Sequence, residues 1–367
     1  MSIVLPDYEN CGLNVISSVM HYFDTPCHHK TLPFLDEKLK KGYRNVVVML
    51  FDGMGMDALK KNSPADSFLN THIAHELSAV FPSTTTAATT AIECAASPAE
   101  HGWLGWTIYF EEIDKSVDIF INRDAQKGGQ AAEYSVVNRF MPIDPVFHRI
   151  TEAGKAKAAI FSAFAEPAYK TLEEIKQGVL DACREKGNHY LYAYYPEPDH
   201  TMHARGVYTE DIKEQIATIN TFVQELAKEL PEDTLLLLTA DHGLVNGHFL
   251  YLEDHPSLRA MLLRPPTVEA RVAAFHVKPE FIEAFPKAFY EAFPQNFMLK
   301  KSSEVLQSGI FGPGTPHPKL PSILGDYVAF ATSYDCISDA RGDHELIGCH
   351  AGLTVEEMRV PLIVAKE

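Results

Sequence analysis

Along most of this chain, short apolar runs alternate with longer stretches in which apolar residues recur every three or four positions. The run LLLL at 235–238 follows Pro231 and the turn-like Glu232 and Asp233, is too short for a helix, and predicts a strand buried on both faces. Strands are likewise predicted over 45–51, 157–162, 190–195 and 361–365. Helices are predicted over 14–23, after Thr85, and over 143–153 and 171–186. Another begins at Thr209, where Ile212, Ile216, Ile219, Val223, Leu226 and Leu230 keep a helical period behind the acidic Glu210 and Asp211. Strand, helix, strand at this spacing implies parallel pairing, hence an α/β fold with a mostly parallel central sheet and helices on both faces.

Two stretches break the rhythm. From about 103 to 141, aromatics (Trp103, Trp106, Tyr109, Phe110) mix with short alternating segments such as DIFIN at 118–122, which predicts an insertion standing over the strand ends. Its aromatics either stack a base or an apolar leaving group, or form a miniature core of their own. From about 246 to 326 a small α+β cap is predicted, a usual place for substrate selection. Its parts are an alternating strand in 265–277, an aromatic-rich helix over 279–293 interrupted at Pro286, and a Gly-Pro loop at 312–321. The chain is expected to rejoin the sheet at YVAFAT, 327–332, with residues 1–42 wrapping the outside, so that 1–367 forms one domain with two inserted elements.

Chemistry-bearing residues gather where the predicted strands end. TADHG at 239–243 places Asp241 and His242 past the 235–238 run, and Asp52 follows the 45–51 run just before Gly53 and Gly55. Open α/β sheets bind ligands at that carboxyl edge. After the 190–195 strand, Pro196 opens a loop that presents Asp199 and His203 four residues apart, a spacing that brings both side chains to one side of a turn. CHAG at 349–352 adds His350. Three carboxylates and three imidazoles on separate strand ends suit zinc, manganese or iron and suffice for two sites. An acidic residue and a histidine after a single strand would, alone, be an ordinary surface pair. Within FPSTTTAATTAIECA at 81–95, Pro82 ends any strand and residues 83–86 fall at a helix N-terminus, where free N–H groups and the positive dipole end can hold a phosphate. Their hydroxyls are weak nucleophiles unless a metal or base lowers the pKa, and by themselves would serve as helix caps.

Taken in order, these segments resemble the alkaline phosphatase superfamily, most closely its type I phosphodiesterase and nucleotide pyrophosphatase branch, from about 45 to 364. The resemblance implies an alkaline phosphatase-like catalytic domain over 1–367. It assigns Asp52, Asp241 and His242 to one divalent metal ion and Asp199, His203 and His350 to another. Thr85, the last Thr of the family's F-P-[ST]-x-T stretch, becomes the nucleophile and a member of the metal centre. The implied reaction is two-metal phosphoryl transfer through a phosphothreonine, with zinc the expected ion and manganese or iron the alternatives. One position departs: the branch carries Asn at the end of H-G-x-x-x-N, where it helps hold a phosphoryl oxygen, but HGWLGW at 101–106 ends in Trp106. Backbone N–H groups or a side chain from an insertion would have to take over. A phosphomonoesterase or phosphonate hydrolase of the same superfamily therefore stays open beside the phosphodiesterase. A metal-dependent phosphosugar mutase of that superfamily is usually longer and uses a serine nucleophile, and a metal-binding protein without turnover would need no Thr85.

Composition narrows the partners. The formal charge of −17 argues against nucleic-acid polymers and anionic membranes, which need basic surface. It does not oppose a small phosphorylated substrate, since bound metal reverses the local sign. MSIVLPDYEN lacks the basic start and apolar core of a signal peptide, no run approaches about 18 apolar residues, and a cytoplasmic location is expected. Cys11, Cys27, Cys94, Cys183, Cys336 and Cys349 have no metal-finger spacing and read as reduced; Cys349 is either oxidation-sensitive or simply a small packed residue. His28, His29, His200, His248, His255, His317 and His344 are kept outside the site, with His248 the best supporting group and Asp254–His255 a coincidental pair.

Overall fold

In the computed structural model, which describes residues 3–342 and 346–367, the centre of the main sheet is Asn45–Phe51, a strand buried at every position. His344 lies outside the described residues. Thr234–Thr239 runs parallel on one side of this strand and His189–Tyr195 on the other. Lys157–Phe161 adds a further parallel strand, while Arg359–Lys366 lies antiparallel between Thr234–Thr239 and Ile73–Ser78. Among the described residues the order is therefore 73–78, 359–366, 234–239, 45–51, 189–195, 157–161. Polar side chains tie the central strand starts together: buried Asn45 donates to Thr234 Oγ1 at 3.1 Å and shares a 2.8 Å hydrogen bond with His189 Nδ1.

Helices cover the sheet with their apolar stripes. Glu210–Glu229 buries Ile212, Ile216, Ile219, Val223 and Leu226, and packs with Met56–Asn62 and Leu172–Arg184. Gly12–Tyr22, Thr85–Cys94 and Val146–Glu152 form a second group, and the two groups flank the sheet. Each fully buried Leu, Ile or Val contributes about 1.5–3 kcal/mol, which is why an all-apolar parallel strand needs cover on both faces. Among the described residues no helix is long and apolar enough to cross a membrane.

The two inserted stretches join in one antiparallel sheet. Phe297–Lys301, Tyr327–Ala331, Val272–Phe275, Thr267–Glu269, Thr107–Phe110, Lys115–Asp118 and Arg123–Asp124 pair in that order, with Val268 opposite Thr107 at the junction. Tyr327–Ala331 thus does not rejoin the main sheet. Its Tyr327, Ala329 and Ala331 belong to a phenylalanine-rich core with Phe275, Phe285, Phe289 and Phe297, whereas Val328 and Phe330 belong to the main core. A strand covered by two different cores reads as one continuous apolar run, the same signal that a main-sheet strand gives. The stretch 265–277 is a hairpin rather than one strand, turning at Ala270 and Arg271. Pro286 starts the helix Phe285–Ala292 instead of interrupting one, since its fixed φ and missing N–H suit a first turn. In DIFIN, only Asp118 is in a strand; the rest is the turn that follows.

Candidate active site

The site is built where the central strands end. Asp52 leaves its strand through Gly53, which has φ +68° and where a Cβ would stand 2.8 Å from that of Asp199, so glycine is required twice over. The N–H groups of Gly53 and His242 both donate to Asp241 Oδ1 at 3.0 Å. Asp199 and His203 sit on a short helix, Asp199–Arg205, rather than in a loop, and their i, i+4 spacing puts His203 Nε2 3.1 Å from Asp199 Oδ2. His203 Nδ1 bonds the Gly348 carbonyl at 2.7 Å, which leaves Nε2 to the site. His350 arrives on a segment fastened to the residues before Thr85: Ala351 N–H donates to Ser83 O at 2.8 Å, and Ser83 Oγ to Gly352 O at 2.7 Å. Ala351 holds φ +90°, a strained backbone for a residue with a Cβ.

Asp52, Asp241 and His242 form one group of possible ligands and Asp199, His203 and His350 another, the ligand atoms of each lying within 4.8 Å of one another. The groups adjoin, with the His242 and His350 rings stacked at 3.9 Å between centroids. Thr85 opens the helix Thr85–Cys94, and its Oγ1 lies 3.1 Å from His242 Nε2 and donates to Asp52 Oδ1 at 3.3 Å. Burial, then the charges of Asp241 and Asp199, push the Asp52 carboxyl well above its ordinary range. Burial opposes ionisation of Asp199 as well, but His203 outweighs it and holds that carboxyl low. Against its own burial, His203 is pushed up to about 9 by Asp199. Burial holds the His350 imidazole well below the usual histidine range. Two buried carboxylate oxygens, Asp199 Oδ1 and Asp241 Oδ2, have no hydrogen-bond partner among the described residues. A buried anionic oxygen left alone is costly, so a donor set with two of them fits divalent cations.

The centre opens into a cavity of about 1370 Å³. Trp106 and Phe120 stand in its wall, edge to face at 6.1 Å between centroids; Trp103 lines the cavity too but is buried in the main core, as is Phe110. Tyr194, which local pattern did not single out, donates its hydroxyl to Asp52 Oδ2. It is the penultimate residue of the same HYLYAYY strand that leads to Asp199, and that position was the available signal. Glu269 had none. Its Oε1 accepts from Trp106 N–H at 2.8 Å and Thr84 Oγ1 at 2.7 Å, contacts that span 163 and 185 positions of chain. Burial raises its pKa against the pull of those two bonds. Beside it Val268 holds φ +76°, and a Cβ at Gly105 would stand 2.5 Å from Val268 O, so this corner is strained and close-packed. His248 is not a supporting group: its Nδ1 bonds Asp335 at 3.0 Å with the ring largely in solvent. Asp254 pairs with Arg341 and His255 packs on Phe293, while His200 lines the cavity. His28 and His29 meet Glu100 elsewhere.

The family model described as type I phosphodiesterase / nucleotide pyrophosphatase matches residues 46–189 and 170–287. The chain belongs to that family, which makes it a hydrolase of phosphoric esters. Among solved structures, murine ectonucleotide pyrophosphatase / phosphodiesterase 5 superposes with TM-score 0.67 at 18% identity, over 86% of this chain and 87% of that one. An inactive form of that protein in complex with AMP gives the same values. Phosphonoacetate hydrolase from Sinorhizobium meliloti 1021, in complex with phosphonoacetate, superposes with TM-score 0.64 at 15% identity over 93% of each chain. These likenesses establish the alkaline phosphatase-like fold. No curated protein matches the sequence.

Proposed function

We propose that the chain is a metal-dependent phosphodiesterase of nucleotide pyrophosphatase type, acting on a small phosphorylated substrate through Thr85. The observation that carries this reading is the Thr85 hydroxyl, set between His242 Nε2 and Asp52 Oδ1 at the first position of a helix and lining the cavity. Asp52, Asp241 and His242 would hold one divalent cation and Asp199, His203 and His350 a second, zinc by the mixed nitrogen and oxygen donors with manganese or iron next, supplying Lewis acidity around phosphorus. Thr85 Oγ1 attacks phosphorus in line, its proton held toward Asp52 Oδ1, and the bond to the leaving oxygen breaks as a phosphothreonine forms. Water then attacks the same phosphorus and returns Thr85 to its free state. Free N–H groups at the start of Thr85–Cys94 bind a phosphoryl oxygen, and Tyr194 holds Asp52 by Oδ2 so that Oδ1 stays toward Thr85.

Preference for a diester is supported by Glu269. Its carboxylate accepts the N–H of Trp106, the residue at the motif position where the family has Asn, and lines the cavity, and a negative charge there repels a phosphate dianion more than a diester monoanion. The second reading, a phosphomonoester or phosphonate hydrolase, draws on Trp106 itself, which has no amide side chain to offer. A cytoplasmic location belongs to the proposal too, and the six free cysteines support it. The test is hydrolysis of p-nitrophenyl phosphate against a matched p-nitrophenyl phosphodiester, with protein stripped of metal and reloaded with zinc or manganese. Faster turnover of the diester is expected; faster turnover of the monoester moves the protein to the second reading, and no metal-dependent turnover of either removes both.

A further inference from the structure

Outside the catalytic groups, three side chains converge on one point. His28 Nε2 lies 2.7 Å from Glu100 Oε1 and His29 Nε2 lies 2.6 Å from Glu100 Oε2, and the possible ligand atoms of all three fall within 4.8 Å of one another. The histidines occupy the connection after Pro26, while Glu100 belongs to the helix Pro98–His101, so the contact closes a loop of more than 70 residues (|i−j| 71 and 72). The cluster is not a chance meeting of surface groups. His29 is 4% exposed and Glu100 15%, with His28 closing the outer side at 63%. The backbone N–H of Ser97 holds Glu100 Oε2 at 2.8 Å and completes a capping box, which fixes the carboxylate in place. Neighbouring Cys27 turns its sulfur to Ser17 Oγ at 3.3 Å and so stands apart from the set.

We propose that His28, His29 and Glu100 form a third metal site, separate from the catalytic centre, that takes Zn²⁺ or a transition metal of similar preference. Two imidazole nitrogens and one carboxylate are borderline donors that favour such ions over calcium or magnesium, and the exposed side at His28 leaves a fourth position for water. Tetrahedral bonds of about 2.0–2.1 Å separate ligand atoms by about 3.3 Å, so each imidazole would draw back from Glu100 by roughly 0.6–0.7 Å to admit the ion. The role is structural: the ion would staple the 27–30 connection to the helix that runs directly into Trp103 and Trp106, the start of the cavity wall.

The test uses the full chain. Wild type, His28→Ala and Glu100→Gln are stripped with chelator, reloaded with Zn²⁺, desalted and analysed for zinc per chain, with Tm recorded before and after reloading. Wild type should hold one equivalent more than either variant and gain more Tm on reloading. His28→Ala is the safer variant because its imidazole is mostly in solvent. Co²⁺ loading should show tetrahedral visible absorption that falls by the same single equivalent in His28→Ala, while Asp241→Ala loses catalytic metal and keeps this one. Equal zinc content and equal Tm gain in wild type and His28→Ala would overturn the proposal, leaving a carboxylate that merely accepts two imidazole hydrogen bonds.

Discussion

Replacing Glu269 by Gln isolates a charge without removing an acceptor. The amide oxygen of Gln can still take the hydrogens of Trp106 N–H and Thr84 Oγ1 that the carboxylate takes now. Thr84 adjoins Thr85, so the carboxylate stands roughly 6–8 Å from a phosphorus in line with the Thr85 oxygen, given about 3.8 Å between successive Cα atoms. At about pH 9 a phosphomonoester carries about one negative charge more than a diester. One extra unit charge at roughly 7 Å and an effective dielectric of about 20 is repelled by about 2.4 kcal/mol, and solvent in the open cavity reduces that toward about 1 kcal/mol. The ratio of kcat/KM for diester over monoester should therefore fall roughly 5- to 60-fold in Glu269→Gln, mainly because monoester turnover rises. The assay is steady-state hydrolysis of p-nitrophenyl phosphate and methyl p-nitrophenyl phosphate by zinc-loaded wild type and variant. Because burial raises the Glu269 pKa, the difference should shrink as pH falls and the carboxylate becomes neutral. Equal changes in kcat/KM for both substrates would refute the reasoning and make Glu269 a packing residue.

Three further outcomes follow from named contacts. Thr85→Ala should reduce turnover by at least about 10³-fold with zinc content unchanged, since it deletes the attacking oxygen, itself a member of the metal centre, but leaves all six carboxylate and imidazole ligands; loss of metal in that variant would contradict the nucleophile role. Glu357→Gln should lower stability to urea by about 3–5 kcal/mol, because it leaves the fully buried Arg271 without the carboxylate that it meets at 2.6 and 2.9 Å; a change below about 1 kcal/mol would mean that the pair relaxes freely. Glu93, whose pKa burial pushes up to about 7, should be replaceable by Gln with a gain in stability. A carboxyl raised in the folded state stabilises it below the unfolded pKa and loses that contribution as pH rises through about 7, so the gain should be absent at about pH 4 and approach a ceiling of about 3 kcal/mol at about pH 8. Urea denaturation at the two pH values checks this, and an equal difference at both would refute it.

What the chain made legible was whatever depends on neighbours in sequence. The 235–238 run and Asn45–Phe51 are all apolar because both faces are covered, and the carboxylates after them necessarily leave at one edge of a parallel sheet. The Glu210–Glu229 stripe was readable for the same reason. Sheet membership was not. Tyr327–Ala331 shows no polar face because its alternate residues enter two different cores, and no local pattern separates that from a main-sheet strand. Arg271 looks like the outward residue of an alternating strand, yet it is buried against a carboxylate 86 positions away. Glu269 is hidden in the same way, by partners 163 and 185 positions distant. His28 and His29 are kept outside the site in sequence because their partner Glu100 lies 72 and 71 positions away.

Glu269 ends one strand of the hairpin and Arg271 sits in the turn that follows it, and each grips a different part of the catalytic end. Glu269 bonds the Thr84 hydroxyl beside the nucleophile. Arg271 pairs with Glu357, which in turn accepts from Gly352 N–H at 2.8 Å, two residues beyond His350. The inserted sheet is therefore braced against both the nucleophile and a metal-ligand loop. Removing residues 265–320 would break both braces at once and leave Glu357 as a buried, unpaired anion, a cost of about 3–5 kcal/mol before any apolar core is counted. A deletion would consequently confound substrate selection with loss of the site, whereas the single charges at Glu269 and Arg271 separate them: neutralising the first should move the substrate ratio, and removing the second should lower stability at a constant ratio.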